Sequence, residues 1–142
     1  MPATPHEGPV FETDIEVRNS ELDSFGHVNN AVFLNYLEHG RFHALQDAGF
    51  PWPVLEERGW AIFVVRIEVD YLAEVRSGDR LLVRTWADSF RRTSMALGQE
   101  IVRKRPDGDV VCTRALVSAV WVGPNRKPIR VPDDVRAGLS AS

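Results

Sequence analysis

The stretch Glu21-Leu22-Asp23-Ser24-Phe25-Gly26-His27-Val28-Asn29-Asn30 runs directly into an apolar, helix-competent segment from Ala31 to Ala48. An aspartate, an imidazole and two carboxamides crowd into it, with Gly26 among them, where a tight turn is easiest. The first turn of a helix leaves backbone N–H groups unpaired and carries a partial positive charge. A carboxylate held there, facing developing oxyanion charge, is the outline of an acyl-transfer or hydrolytic site. Taken singly, Asp, Ser and Asn before a helix are ordinary caps and turn formers. The group Asp-x-x-Gly-His-Val-Asn-Asn, with Tyr36 and Glu38 on the helix behind it, says more than its members do.

Working outward, the spacing predicts a helix from about Asn30 to Asp47, with Phe33, Leu34, Leu37, Ala44, Leu45 and Ala48 on one broad face. Tyr36 and Phe42 widen that apolar surface, so much of the helix is expected to be buried. Glu38 and Arg41 are spaced to pair. Gly49 suits the helix end, and Pro51 and Pro53 prevent continuation. Residues 54–58 suit one more short helical turn before Gly59.

Before the signature, Val10 to Arg18 alternates, with Phe11, Thr13, Ile15 and Val17 on one face, as in a half-buried strand. After it, from Trp60, period two returns and places Phe63, Val65, Ile67, Val69 and Tyr71 together. Ser77-Gly78-Asp79 signals a turn. The next strand sets Leu81, Val83, Thr85 and Ala87 opposite Leu82, Arg84, Trp86 and Asp88, and Arg91-Arg92-Thr93 forms a hairpin end. A strand from Ser94 to Lys104 directs Met95, Leu97 and Ile101 inward. Pro106-Asp107-Gly108 is the strongest turn. A strand from Val110 to Val122 then groups Val111, Thr113, Ala115, Val117, Ala119 and Trp121, and Asp133 is placed to cap a short final helix. One strand, one long helix and four further strands make an α+β layer solution, a single helix wrapped by an antiparallel sheet of about five strands.

Composition narrows the function. At 142 residues the chain has the length of one domain, expected over 10–142 behind a flexible lead at 1–9. Seventeen basic residues against twenty acidic ones, with no polybasic block, argue against nucleic acid as a partner. One cysteine, Cys112, excludes a cysteine-rich zinc site and an intrachain disulfide. With no apolar run of membrane-spanning length and no secretory pattern at the start, a cytoplasmic setting without membrane partners is expected.

The signature resembles that of hotdog-fold thioesterases of the 4-hydroxybenzoyl-CoA thioesterase-like group, which includes bacterial acyl-CoA thioesterases and, more distantly, plant acyl-carrier-protein thioesterases. Asp70-Tyr71-Leu72, Ser77-Gly78-Asp79, the polar turn before Ser94, and Arg126-Lys127-Pro128 with Pro132 follow in the family's order, so the likeness covers roughly Val10 to Asp133. It implies a hotdog fold and an acyl-CoA thioesterase that releases a free acid and coenzyme A without a metal or other cofactor. Asp23 is then the catalytic carboxylate, either attacking the thioester carbonyl or activating a water. N–H groups near Asn30 and Ala31 are the oxyanion donors, while His27 orients the carbonyl or braces the loop. Where family members often have a second Asp, this chain has Glu21, whose role stays open between chemistry and a solvated charge. Arg91, Arg92, Thr93 and Ser94 match the family position near the pantetheine and phosphates of coenzyme A, which suits the planar arginine fork. A homodimer, or an assembly of dimers, joins sheets edge to edge, and Leu82, Trp86, Leu116 and Val120 are left over for another partner.

Other chemistries fit less well. A hotdog hydratase or dehydratase typically spaces its Asp and His by five residues, and Asp23 and His27 are four apart. A non-catalytic acyl-CoA or acyl-carrier binding module is the reading from another class. His39 and His43 are spaced like a metal pair, but Gly40 stands where metalloproteases place their glutamate, so no metal is expected. Neither a Gly-x-Ser-x-Gly elbow nor a phosphate loop or dinucleotide fingerprint occurs. Arg103-Lys104-Arg105 reads as a solvated strand end.

Overall fold

The computed structural model describes residues 8–140, so the lead expected over 1–9 falls outside it but for its last two residues. The elements are β1 (Phe11–Glu16), a 3-10 turn (Asn19–Glu21), α1 (Asn30–Asp47), α2 (Trp52–Arg58), β2 (Ala61–Tyr71), β3 (Arg80–Phe90), β4 (Ser94–Arg105), β5 (Gly108–Val122) and α3 (Asp133–Ser140). The five strands form one antiparallel sheet in the order β1-β3-β4-β5-β2. α1 lies across one face: Phe33, Tyr36 and Leu37 cluster with Val83, Ile101 and Cys112, while Leu45 joins Leu97, Met95 and Trp121. This is the expected α+β hotdog architecture.

Local chemistry sets the helix limits. The Asn29 side chain accepts from the Ala31 N–H at 2.8 Å and caps α1. At the other end Gly49 takes φ +100°, and the Phe50 N–H reaches back to the Leu45 carbonyl at 2.7 Å, closing the carbonyls of the last turn. α2 starts earlier than the prolines suggest. Pro51 is its N-cap and Pro53 falls in its first turn, where a missing N–H costs nothing.

Gly40 lets α1 approach β3. A Cβ there would stand 2.5 Å from a Val83 methyl and 3.2 Å from Gln99 Nε2. Below it, Gln99 donates to the Leu37 carbonyl and to Thr85 Oγ1, both at 2.9 Å, and accepts from Arg41 at 3.1 Å. Arg41 therefore turns to Gln99, while Glu38 stays exposed. Gly40→Val is expected to lower stability by about 2 kcal/mol through overpacking, read as a reduced urea midpoint with an unchanged slope. An unchanged midpoint would mean that the helix can lift from the sheet at no cost.

Two bulges revise the expected faces. At Val65 the register of β2 slips, so Ile62 opposes Trp121, Val64 opposes Ala119, and Ile67 opposes Val117. Opposed residues share a face. Ile62 and Val64 thus join Ile67, Val69 and Tyr71 on the helix side, while Phe63 turns away. In β5 a slip beside Val102 puts Cys112, rather than Val111, into the core against α1. Leu82, Trp86, Leu116 and Val120 are only half-buried within one chain.

β2 and β3 are consecutive in sequence but sit far apart in the sheet. The connection from Leu72 to Asp79 therefore crosses the end of the sheet. Leu72 and Ala73 donate to the Cys112 carbonyl, Arg103 donates to the Glu74 carbonyl at 2.8 Å, and Arg105 holds Asp79 through two bonds at 2.9 and 2.7 Å. The Arg105 hydrogen bonds hold the Asp79 carboxyl below its ordinary range. Arg103 and Arg105 are clamps on this crossing, not a solvated strand end.

Candidate active site

The crossing connection delivers the second half of the site to the signature loop. Val28 donates to the Val75 carbonyl at 2.9 Å, and His27 bridges Arg76. Within the loop, Gly26 takes φ +79°, and the Asp23 N–H donates to the His27 carbonyl at 2.7 Å. Asp23 Oδ1 accepts from the N–H groups of Phe25 at 2.9 Å and His27 at 3.1 Å. Oδ2 takes no bond from the described residues. Asp23, His27, Asn30, Phe33, Tyr71 and Glu74 line a cavity of about 320 Å³ at the N-terminal end of α1.

Of the N–H groups expected near Asn30 and Ala31, the first turn of α1 leaves one unpaired. The Ala31 N–H is spent on the Asn29 cap, and the N–H groups of Val32 and Phe33 go to the Asn29 carbonyl. Among the described residues the Asn30 N–H is without a partner, so it is the donor left at the helix end. Tyr71 pins that first turn by donating to the Asn30 carbonyl at 3.2 Å, with its ring edge-on to Phe33.

Glu21 is a brace, not a solvated charge. Its carboxylate accepts from the Arg18 N–H at 2.9 Å and from the Tyr36 hydroxyl at 2.8 Å, and its carbonyl accepts from Asn29. Burial pushes the Glu21 carboxyl up, but these hydrogen bonds outweigh it and hold the group below its ordinary value. Burial, reinforced by Glu21, raises the Tyr36 hydroxyl far above the usual phenol range.

The sequence gives little warning of Glu74. Its Oε2 lies 2.7 Å from His27 Nε2, and its Oε1 accepts from Arg76 at 2.7 Å. Its only signal is a charged residue between Ala73 and Val75, just past the end of a strand.

Arg91, Arg92, Thr93 and Ser94 are not brought to this cavity within the chain. They form the β3–β4 turn, at the end of β3 away from the crossing connection, and at about 3.3 Å per residue the separation is on the order of 30 Å. The turn itself is well anchored: Val131 donates to the Arg92 carbonyl at 2.8 Å and Trp121 to the Thr93 carbonyl at 2.9 Å. Arg91 and Arg92 are exposed and form no ion pair with a described residue. The His39 and His43 rings are 4.4 Å apart, and no group of three or more metal-binding side chains forms among the described residues.

A second cavity of about 300 Å³ opens beside the C-terminal half of α1. Leu45, Leu55, Ile62, Val64, Met95 and Leu97 line its apolar wall, with Glu38 and Arg41 its charged members. Burial holds the Arg41 guanidinium below its ordinary value, opposed by the nearby charge of Glu38.

The sequence model of the thioesterase-like superfamily matches residues 17–139. The chain belongs to the thioesterase-like superfamily. Among curated members, it is 32% identical over 130 residues to the chloroplastic acyl-acyl carrier protein thioesterase ATL2 of Arabidopsis thaliana, covering 92% of this chain and 68% of that one. It is 31% identical over 113 residues to the long-chain acyl-CoA thioesterase FadM of Escherichia coli, covering 79% and 83%. A thioesterase of Thermus thermophilus, solved with coenzyme A and Zn, superposes with a TM-score of 0.78 at 30% identity, covering 93% of this chain and 92% of that one. The superfamily match spans both the signature loop and the crossing connection, the two segments that meet at the Asp23 cavity.

Proposed function

We propose that the chain is an acyl-CoA thioesterase, hydrolysing a thioester to a free carboxylic acid and coenzyme A, and that it works as a homodimer or a dimer of dimers in the cytoplasm. The observation that carries the reading is the convergence of the free Asp23 oxygen, His27 and the Asn30 N–H on one cavity. The carboxylate of Asp23 attacks the carbonyl carbon, or takes a proton from the water that does. The oxyanion that forms is held by the Asn30 N–H and the helix end, a kind of donor worth roughly 3 kcal/mol to a transition state. The carbon–sulfur bond then breaks and the thiolate of coenzyme A departs; where Asp23 itself has attacked, water then cleaves the acyl–aspartyl anhydride to the free acid and restores the carboxylate. The substrate class follows the names borne by bacterial relatives; the plant relative's name points to an acyl-carrier thioester.

The dimer is supported by β2. It is an edge strand, and Phe63 at 56%, Val64 at 43% and Val65 at 63% exposure form an apolar border with Phe42 and Trp52. An unpaired edge of this kind is a pairing template, and closed two-fold symmetry is its commonest use. Within one chain the apolar cavity and Asp23 sit at opposite ends of α1. At about 1.5 Å per residue, Asn30 and Phe42 are on the order of 18 Å apart. A two-fold axis near the middle of β2 sets the Asp23 end of one protomer beside the start of its partner's β2. There it meets the partner's apolar cavity and approaches the partner's Arg91–Ser94 turn, which is then available to the phosphates of coenzyme A.

The test is thiol release from a panel of acyl-CoA thioesters, beside the matching pantetheine thioesters that lack the nucleotide. Hydrolysis of at least one acyl-CoA is expected. Arg91→Ala with Arg92→Ala should raise KM for CoA thioesters by roughly tenfold, the weight of a charge-assisted hydrogen bond, with little change for pantetheine thioesters. Equal losses on both would assign the turn to folding. Binding without any release would support an acyl-binding module instead.

A further inference from the structure

His27 and Glu74 come from segments far apart in the chain, yet Nε2 and Oε2 meet at 2.7 Å. The backbone is fixed on both sides of the contact. Val28 donates to the Val75 carbonyl, His27 bridges Arg76, and Arg103 holds the Glu74 carbonyl. The other oxygen of Glu74 accepts from Arg76 at 2.7 Å, so the carboxylate is held by both its oxygens. An ionised carboxylate only accepts. The nitrogen facing it therefore carries a hydrogen, in the neutral imidazole as in the imidazolium. In the neutral ring that puts the lone pair on the other nitrogen.

We infer that Glu74 is a positioning residue: it fixes His27 as the Nε2–H tautomer, so that Nδ1 is the nitrogen offered to a bound thioester. Both side chains line the same cavity as Asp23 and Asn30. Nδ1 is then the atom placed to exchange a proton with the attacking water or the departing sulfur. A reacting group backed by a third residue that fixes its orientation is the general logic of activated sites. The kinetic part of this inference rests on the thioesterase reading; the tautomer does not.

The experiment compares the wild type, Glu74→Gln and Glu74→Ala, each labelled with ¹⁵N-histidine, by two-bond proton–nitrogen correlation and by acyl-CoA hydrolysis. Glutamine retains an accepting oxygen of the same reach, so Glu74→Gln should keep the Nε2–H tautomer and most of kcat. Glu74→Ala should lose the tautomer preference, and its kcat should fall by on the order of ten- to a hundredfold, as a misoriented reacting group does, with KM far less affected. An Nδ1–H tautomer in the wild type overturns the inference. So does an unchanged kcat in Glu74→Ala, or a loss in Glu74→Gln as deep as in Glu74→Ala. If the wild type releases no thiol from any acyl-CoA, the thioesterase reading fails, and the correlation spectra still decide the tautomer.

Discussion

Asp23→Asn is expected to lower acyl-CoA turnover by at least ~10²-fold, the scale of losing a general base, which corresponds to about 2.7 kcal/mol or more of barrier. The substitution is unusually clean here. The oxygen that holds the loop accepts from the N–H groups of Phe25 and His27, and the carboxamide oxygen of asparagine can accept the same two bonds. Only the free oxygen changes, into a group that neither attacks nor removes a proton. Acyl-CoA affinity and thermal stability should therefore stay near wild type, measured by calorimetric titration and thermal melt. A folded Asp23→Asn protein that turns over at the wild-type rate would remove the carboxylate from the mechanism.

The second large effect concerns the β2 edge. Val65 is 63% exposed and sits at the bulge, so a polar side chain there costs a single protomer little. In a two-fold pairing through β2 it is buried near the axis. Val65→Asp then loses an interface contact of about 2 kcal/mol in each copy and sets two like charges close together. The dissociation constant of the dimer should rise by on the order of 10³-fold, and specific activity should fall in step with the dimer population as the protein is diluted. Light scattering and thiol release, measured on the same dilution series, check both. A Val65→Asp protein that is monomeric and fully active would refute the shared site.

The helix and its limits were legible because their signals are local. Asn29 caps, Gly49 ends, and the apolar residues between them repeat at helical spacing. The signature loop was legible for the same reason, since Asp23, His27 and Asn30 lie within one short stretch. The bulges were not. A single extra residue at Val65 leaves no mark in composition, yet it reverses the side on which Phe63 emerges. Glu74, Arg103 and Arg105 were misread or missed because their partners are set by the crossing connection, and only the strand order reveals it. Helical spacing puts Leu34 and Phe42 on the apolar surface of α1, yet they are 38% and 52% exposed. Helical periodicity reports which residues share a face, not whether one chain covers that face.

That strand order also dictates when the site can exist. β4 and β5 lie between β3 and β2 in the sheet but follow both in the chain. The segment carrying Glu74 and Val75 therefore has no fixed path until the last strand has been laid in place. Long-range closures of this kind come late and slowly. The signature loop, which precedes β2 to β5 in the chain, waits for the final strand before His27 finds its carboxylate. A partly made chain carries Asp23, His27, Asn30 and Glu74 without the cavity that joins them.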